Sequence, residues 1–242
     1  MRRDREQLPV IRLAIIFLAI SSPAAAQQTD KFRLPAGCDA YLTVQDRSCS
    51  VDHHFRCDTD PSGHQRRVSF DEEGMTYLGM IDAETQWIQS FHARAGSTER
   101  LAPAPNDPAS FSQLIATGRD DYDFVTLSDK YGPTHFKGTD TLTGRDVEID
   151  GVVLQETAFQ ITATTPDGTV LWTSQGNEFI SRDWQMFVSG TGTTTTPTDS
   201  FEKDDTPVEF IYPGEPGFLS TRPKHGCGVM LSAAPHIVGD HT

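Results

Sequence analysis

No G-x-S-x-G, H-E-x-x-H, glycine-rich phosphate loop or dinucleotide fingerprint occurs anywhere in the 242 residues. The chain therefore offers no signature of a nucleophile-elbow hydrolase, a zincin or a nucleotide-binding fold. Basic residues are also scarce, 20 Lys and Arg against 34 Asp and Glu, for a net charge of −14. A surface of that sign repels phosphate backbones and anionic lipid, so neither nucleic acid nor electrostatic membrane docking is expected. The longest apolar run, Leu13–Ile20, is far shorter than the roughly 20 residues that span hydrocarbon, which argues against a stable membrane anchor. Cysteine is limited to Cys38, Cys49, Cys57 and Cys227. No internal repeat is visible, and the one biased segment is the threonine-rich Gly190–Thr198 with its charged extension to Asp205, expected to form a long exposed loop.

What is present begins with a secretory leader. Arg2, Arg3, Arg5 and Arg12 form a positive n-region, Leu13–Ile20 an apolar h-region, and Ala24–Ala26 the small residues before a cut. The expected division is a signal peptide over 1–26 and a single β-rich domain over 27–242. Four arginines against Asp4 and Glu6 give the leader a charge of +2, so its removal takes the chain from −14 to −16. The expected location is periplasmic or extracellular.

Strand signals dominate the remainder. Short runs at Tyr41–Gln45, Val51–Cys57, Arg67–Phe70, Thr76–Asp82 and Thr85–Phe91 are separated by turn residues such as Asp60-Pro-Ser-Gly63. Further runs cover Tyr122–Leu127, Thr134–Leu142, Val147–Ile149, Val152–Thr164, Thr169–Thr173, Trp184–Val188 and Val208–Tyr212, with Asp150-Gly151 a tight-turn pair. In the longest run Val153, Phe159, Ile161 and Ala163 share one face and Glu156, Gln160 and Thr162 the other. Trp87 and Phe91, four apart, and Trp184 with Met186 and Val188 extend the apolar face. One helix is expected near 108–117, with Asp107 as N-cap, Pro108 in the first turn and Gly118 closing it. The fold class is mainly β: an antiparallel, curved sheet or partly open barrel, with a β-sandwich as the alternative.

An even cysteine count behind an export signal implies two disulfides. The spacing favours a local Cys49–Cys57 bridge and a terminal Cys38–Cys227 bridge, among three possible pairings. The same region holds His53 and His54, a sulfur and imidazole mixture that suggests zinc only if the thiols are reduced. Two disulfides remove that site, and no metal or other cofactor is expected. Asp58-Thr-Asp-Pro-Ser-Gly63 opens like a calcium loop, but Ser69 stands where the bidentate Glu belongs, and a polar hairpin turn explains it. Ser200-Phe-Glu-Lys203 has S-x-x-K spacing without its companion motifs. Asp120-Asp121 and Asp204-Asp205 are expected on a solvated surface. The Pro/Gly-rich stretch Val208–Phe218 reads as a packed crossing segment, with a lid over a cavity as the alternative.

These features favour an exported, non-enzymatic binding module for an apolar or amphipathic small molecule, or for an envelope protein partner. Trp87, Phe91, Phe159 and Trp184 are the candidate ligand-binding residues. The architecture resembles secreted carriers that hold apolar ligands in a concave sheet or barrel, a likeness of fold class with no shared motif. A hydrolase with a dispersed His/carboxylate site, or a structural envelope protein, are the rival readings. A deep apolar cavity distinguishes the first reading from both.

Overall fold

A computed structural model describes residues 30–228, and the leader expected over 1–26 lies outside them. Six strands come first: β1 (Cys38–Asp46), β2 (Ser50–Cys57), β3 (Gln65–Asp71), β4 (Gly74–Ile81), β5 (Trp87–His92) and β6 (Ser97–Leu101). Helix α1 (Phe111–Thr117) interrupts them, and β7 (Arg119–Ser128), β8 (Gly132–Ile149), β9 (Val152–Thr164) and β10 (Val170–Ser181) follow. Four short strands complete the order: β11 (Met186–Val188), β12 (Thr191–Thr195), β13 (Ser200–Asp204) and β14 (Pro207–Ile211).

All pair antiparallel in one sheet, ordered β13-β12-β10-β9-β8-β7-β6-β5-β4-β3-β2-β1-β14, with β11 also on β10. The sheet is curved and is not closed into a barrel, and a sandwich of two sheets is not what forms. Its two edge strands, β13 and β14, are nevertheless consecutive in the chain, with only Asp205 and Thr206 between them. Asp205 N donates to Gly190 O and Arg47 N donates to Thr206 O, so this bent segment links one edge of the sheet to the other.

Local chemistry explains most turns and several departures from expectation. Asp150 and Gly151 both take positive φ, 48° and 76°, as the two-residue β8–β9 hairpin requires. The helix starts at Phe111 rather than Pro108. Asp107 instead exchanges both backbone hydrogen bonds with Asp123, which keeps the chain extended to that point. Ser110 caps the helix by accepting from Gln113 N, while the Glu84 carboxylate accepts from Ser112 N and Ser110 Oγ. The threonine-rich stretch is a hairpin, β12–β13, because β-branched threonines suit a pleated surface even where it is wet. Strand β6, short and charged, carries no alternation that could have marked it.

The disulfides are Cys38–Cys57 and Cys49–Cys227, which corrects the pairing favoured from spacing. Cys49 lies in the β1–β2 turn and Cys57 at the far end of β2, roughly 25 Å away along an extended strand. Cys38 and Cys57 are direct cross-strand partners with Cα atoms 3.9 Å apart. The ends of the described chain still meet: Phe32 N donates to Leu219 O and Thr221 N to Asp30 O. Residues 219–227 then cross the outer face of β1, where Leu219 N donates to Thr43 Oγ1 and Lys224 N to Gln45 Oε1. Thr43 and Gln45 are completely buried as a result. The stretch after Val208 is thus a packed crossing segment and not a lid.

The core is divided. One cluster joins Leu42, Val44, Leu154, Phe179, Met186, Val188 and Phe210, with Trp184 packed against it. A second joins Tyr122, Phe124, Phe136, Ile161 and Ala163, and a third seats the helix through Phe111 and Leu114 on Ile180. Strand β9 serves two of these clusters with opposite faces: Leu154 and Glu156 are buried in its first half, Ile161 and Ala163 in its second. Val153 therefore points outward and is 63% exposed, contrary to the single apolar face expected for the whole run.

Candidate functional site

The concave side of the curled sheet encloses a cavity of about 850 Å³. Strict period-two alternation aims side chains into it. On β7, Asp120, Tyr122, Phe124 and Thr126 are buried while Arg119 and Asp121 face water. Trp87, Phe124 and Phe136 form the aromatic wall, Trp87 meeting the other two edge-on at 5.5 Å, and Trp172 extends it 5.9 Å from Phe136. The rim is apolar and exposed, with Tyr131 at 64%, Phe201 at 51% and Leu171 at 38%.

Of the four candidate residues, the structure brings Trp87 and Phe159 into the cavity but not Phe91 or Trp184. A bulge separates the two β5 aromatics. Met80 pairs with Gln89 but Ile81 pairs with Trp87, so Ile88 is extra and Trp87 shares the inner face of Gly79 and Ser90. Phe91, opposite Leu78, lies on the outer face. Trp184 sits in the β10–β11 turn against Phe210, with ring centroids 5.2 Å apart. No sequence signal marks a bulge of this kind.

Away from the rim the lining becomes charged. Arg67 lies 3.5 Å from Asp52, stacks over the Tyr77 ring at 4.9 Å, and still turns 37% of its side chain towards the cavity. Burial opposes its charge, but Asp52, Tyr77, Asp46 and Glu178 around it hold it protonated. Asp140 on β8 and Glu178 on β10 also line the cavity, and neither side chain has a hydrogen-bond partner among the described residues. Burial, then the nearby Glu178 and Asp120, pushes the Asp140 carboxyl up to about 8. Burial likewise pushes Glu178 up to about 7, with Arg67 pulling the other way. Asp120, expected on the surface, is only 3% exposed; it accepts from Ser110 N, and burial raises it to about 6. At the closed end Gln65 donates to Trp184 O and Gln185 O, tying β3 to the β10–β11 turn.

His53 and His54 are both buried, on opposite faces of β2. His53 contacts Thr43 Oγ1 at 2.9 Å and stacks on Phe32, whereas His54 lines the cavity. Burial lowers them to about 4 and about 3, so both are neutral at physiological pH. A hydrolytic site needs a histidine hydrogen-bonded to a nucleophile and oriented by a carboxylate. Among the described residues His54 makes no side-chain hydrogen bond, and His92, 4.0 Å from Glu99, meets no hydroxyl. In the turn after Cys57 both Asp60 oxygens accept from Arg66, at 2.6 and 2.7 Å, which accounts for the calcium-like residues. Lys203, the lysine of the S-x-x-K spacing, pairs with Asp205 on a surface strand. Two depressions on the outer face, about 920 and 680 Å³, are open, lined largely by threonine, glutamine and charged residues.

No family model, curated protein or solved structure matches the chain.

Proposed function

We propose that the protein is an exported, non-enzymatic binding module that holds an apolar or amphipathic small molecule within its curled sheet. The observation that carries this reading is the cavity of about 850 Å³ walled by Trp87, Phe124, Phe136 and Trp172. That volume lies in the range of small-molecule sites, and an exposed apolar rim at its mouth suits entry of an apolar group. Among the described residues no comparable surface supports an envelope protein as partner. The address rests on the leader 1–26 and on two disulfides, which fit an oxidising, exported compartment. Among the described residues no helix is long and apolar enough to cross a membrane.

Titration with an environment-sensitive apolar dye tests the reading. The wild type takes up one dye per chain, and Ser174→Trp, which fills the cavity from β10, lowers uptake at least about tenfold without losing the cooperative thermal transition. A wild type that binds no dye, or a filled variant that binds as well, overturns it.

A further inference from the structure

The cavity is graded from apolar to charged, and the sign of its charged end selects a ligand. Trp172 and Phe136 lie nearer the rim, while Glu178 and Asp140 come later on strands β10 and β8 as the chain runs away from it. The register fixes their relation. Asp140 is directly opposite Phe159, Phe159 is opposite Gly176, and Glu178 follows two residues along the same face. Phe159 thus stands on the strand between the two acids, on their face of the sheet, and its ring reaches across Gly176 towards Gly192, past the strand that carries Glu178. Tyr122 joins them from β7, close enough that Asp140 and Glu178 both act on its phenol.

The arginines that line this cavity are already answered: Arg67 is paired with Asp52 and packed on Tyr77, and Arg66 is paired with Asp60. Asp140 is not. It is 9% exposed, lines the cavity, and has neither hydrogen bond nor ion pair among the described residues. A carboxyl buried without a partner is costly, and here no protein donor answers it. A bound cation favours the ionised form of both acids, and those carboxylates with the negative face of the neighbouring ring supply the two attractions that an organic cation uses.

We infer that the ligand is a cationic amphiphile, an amine or quaternary ammonium whose head lies between Asp140, Phe159 and Glu178 and whose apolar body runs along the aromatic wall to the rim. This rests on the binding reading given above.

The probes are decyltrimethylammonium, decyl sulfate and decyl maltoside, below their micelle-forming concentrations, titrated into a Trp184→Phe background so that Trp87 and Trp172 report. Decyltrimethylammonium binds at least about tenfold more tightly than decyl maltoside. Asp140→Asn and Glu178→Gln each remove about tenfold of that affinity while leaving decyl maltoside within about twofold. Glu72→Gln, which removes one exposed acid that does not line the cavity, changes neither and controls for overall acidity. Thermal unfolding checks each variant, and if Asp140→Asn fails to fold, Glu178→Gln reads the same contact. Equal binding of all three probes, unaffected by the substitutions, overturns the cationic assignment and leaves the binding reading standing. Preference for decyl sulfate, lost in Arg67→Gln, also overturns it and makes Arg67 the anchor. Failure of every probe to bind overturns the binding reading itself.

Discussion

Single residues decide the polarity of this interior, and they do so against its apolar pattern. Asp46 is 3% exposed and raised to about 9 by burial and then by Asp52, while Asp140 is raised to about 8. In the unfolded chain both return to about 4, so the folded state binds more protons across the interval between. Stability is therefore lost as pH rises from about 4 through 8 and 9. His53 and His54 work in the opposite sense below about 6.5, where only the unfolded chain takes up their protons, and offset part of the loss there. Above pH 6.5 the carboxyl groups act alone. From pH 6.5 to 9 the ligand-free protein should lose on the order of 5 kcal/mol, or roughly 10–20 °C in Tm, and Asp46→Asn should flatten that slope. A Tm that rises over this interval contradicts the assignment. Asp140 was legible in outline: it follows Phe136 at even spacing, a charge on an apolar face, and that conflict is itself a signal of function. Glu178 was not, because its strand runs eight residues beyond Thr173, where the apolar signal stops.

At the level of elements, alternation and turn chemistry revealed eleven of the fourteen strands, missing β6, β12 and β13, whereas pairing between distant segments stayed hidden. The cysteine assignment shows where the spacing argument went wrong. Val51–Cys57 reads as one extended strand, and that alone places Cys49 and Cys57 at opposite ends of it. The helix start was misplaced for a different reason. Its cap, Ser110, is reinforced by Glu84, 28 positions before Ser112, and the chain ahead of it is held extended by Asp123, partners that no local window contains. The bridges differ in what they constrain, 19 residues for Cys38–Cys57 and 178 for Cys49–Cys227. Loop-closure entropy gives upper values of about 3 and about 5 kcal/mol respectively. In urea unfolding, Cys49→Ser with Cys227→Ser should thus cost more than Cys38→Ser with Cys57→Ser. The reverse order would mean that the crossing segment over β1 holds by hydrogen bonds alone.

For the whole molecule, one bent stretch from Ser200 to Ile211 decides whether there is an interior at all. Its first half belongs to β12 and its second to β1, so the concavity exists only while both attachments hold. A chain ending at Thr206 should lose amide protection along β1 and bind no apolar dye. Full-length Cys49→Ser/Cys227→Ser, which keeps β14, should retain both; if the two variants behave alike, the disulfide and not the strand shapes the sheet. The arrangement also orders events in time. The first strand to be made finds one neighbour at once, in β2, and must wait for the other until 160 or so further residues have followed. Until then β1 is an open template for any passing strand, and the last of the fourteen strands is the one that takes that opportunity away.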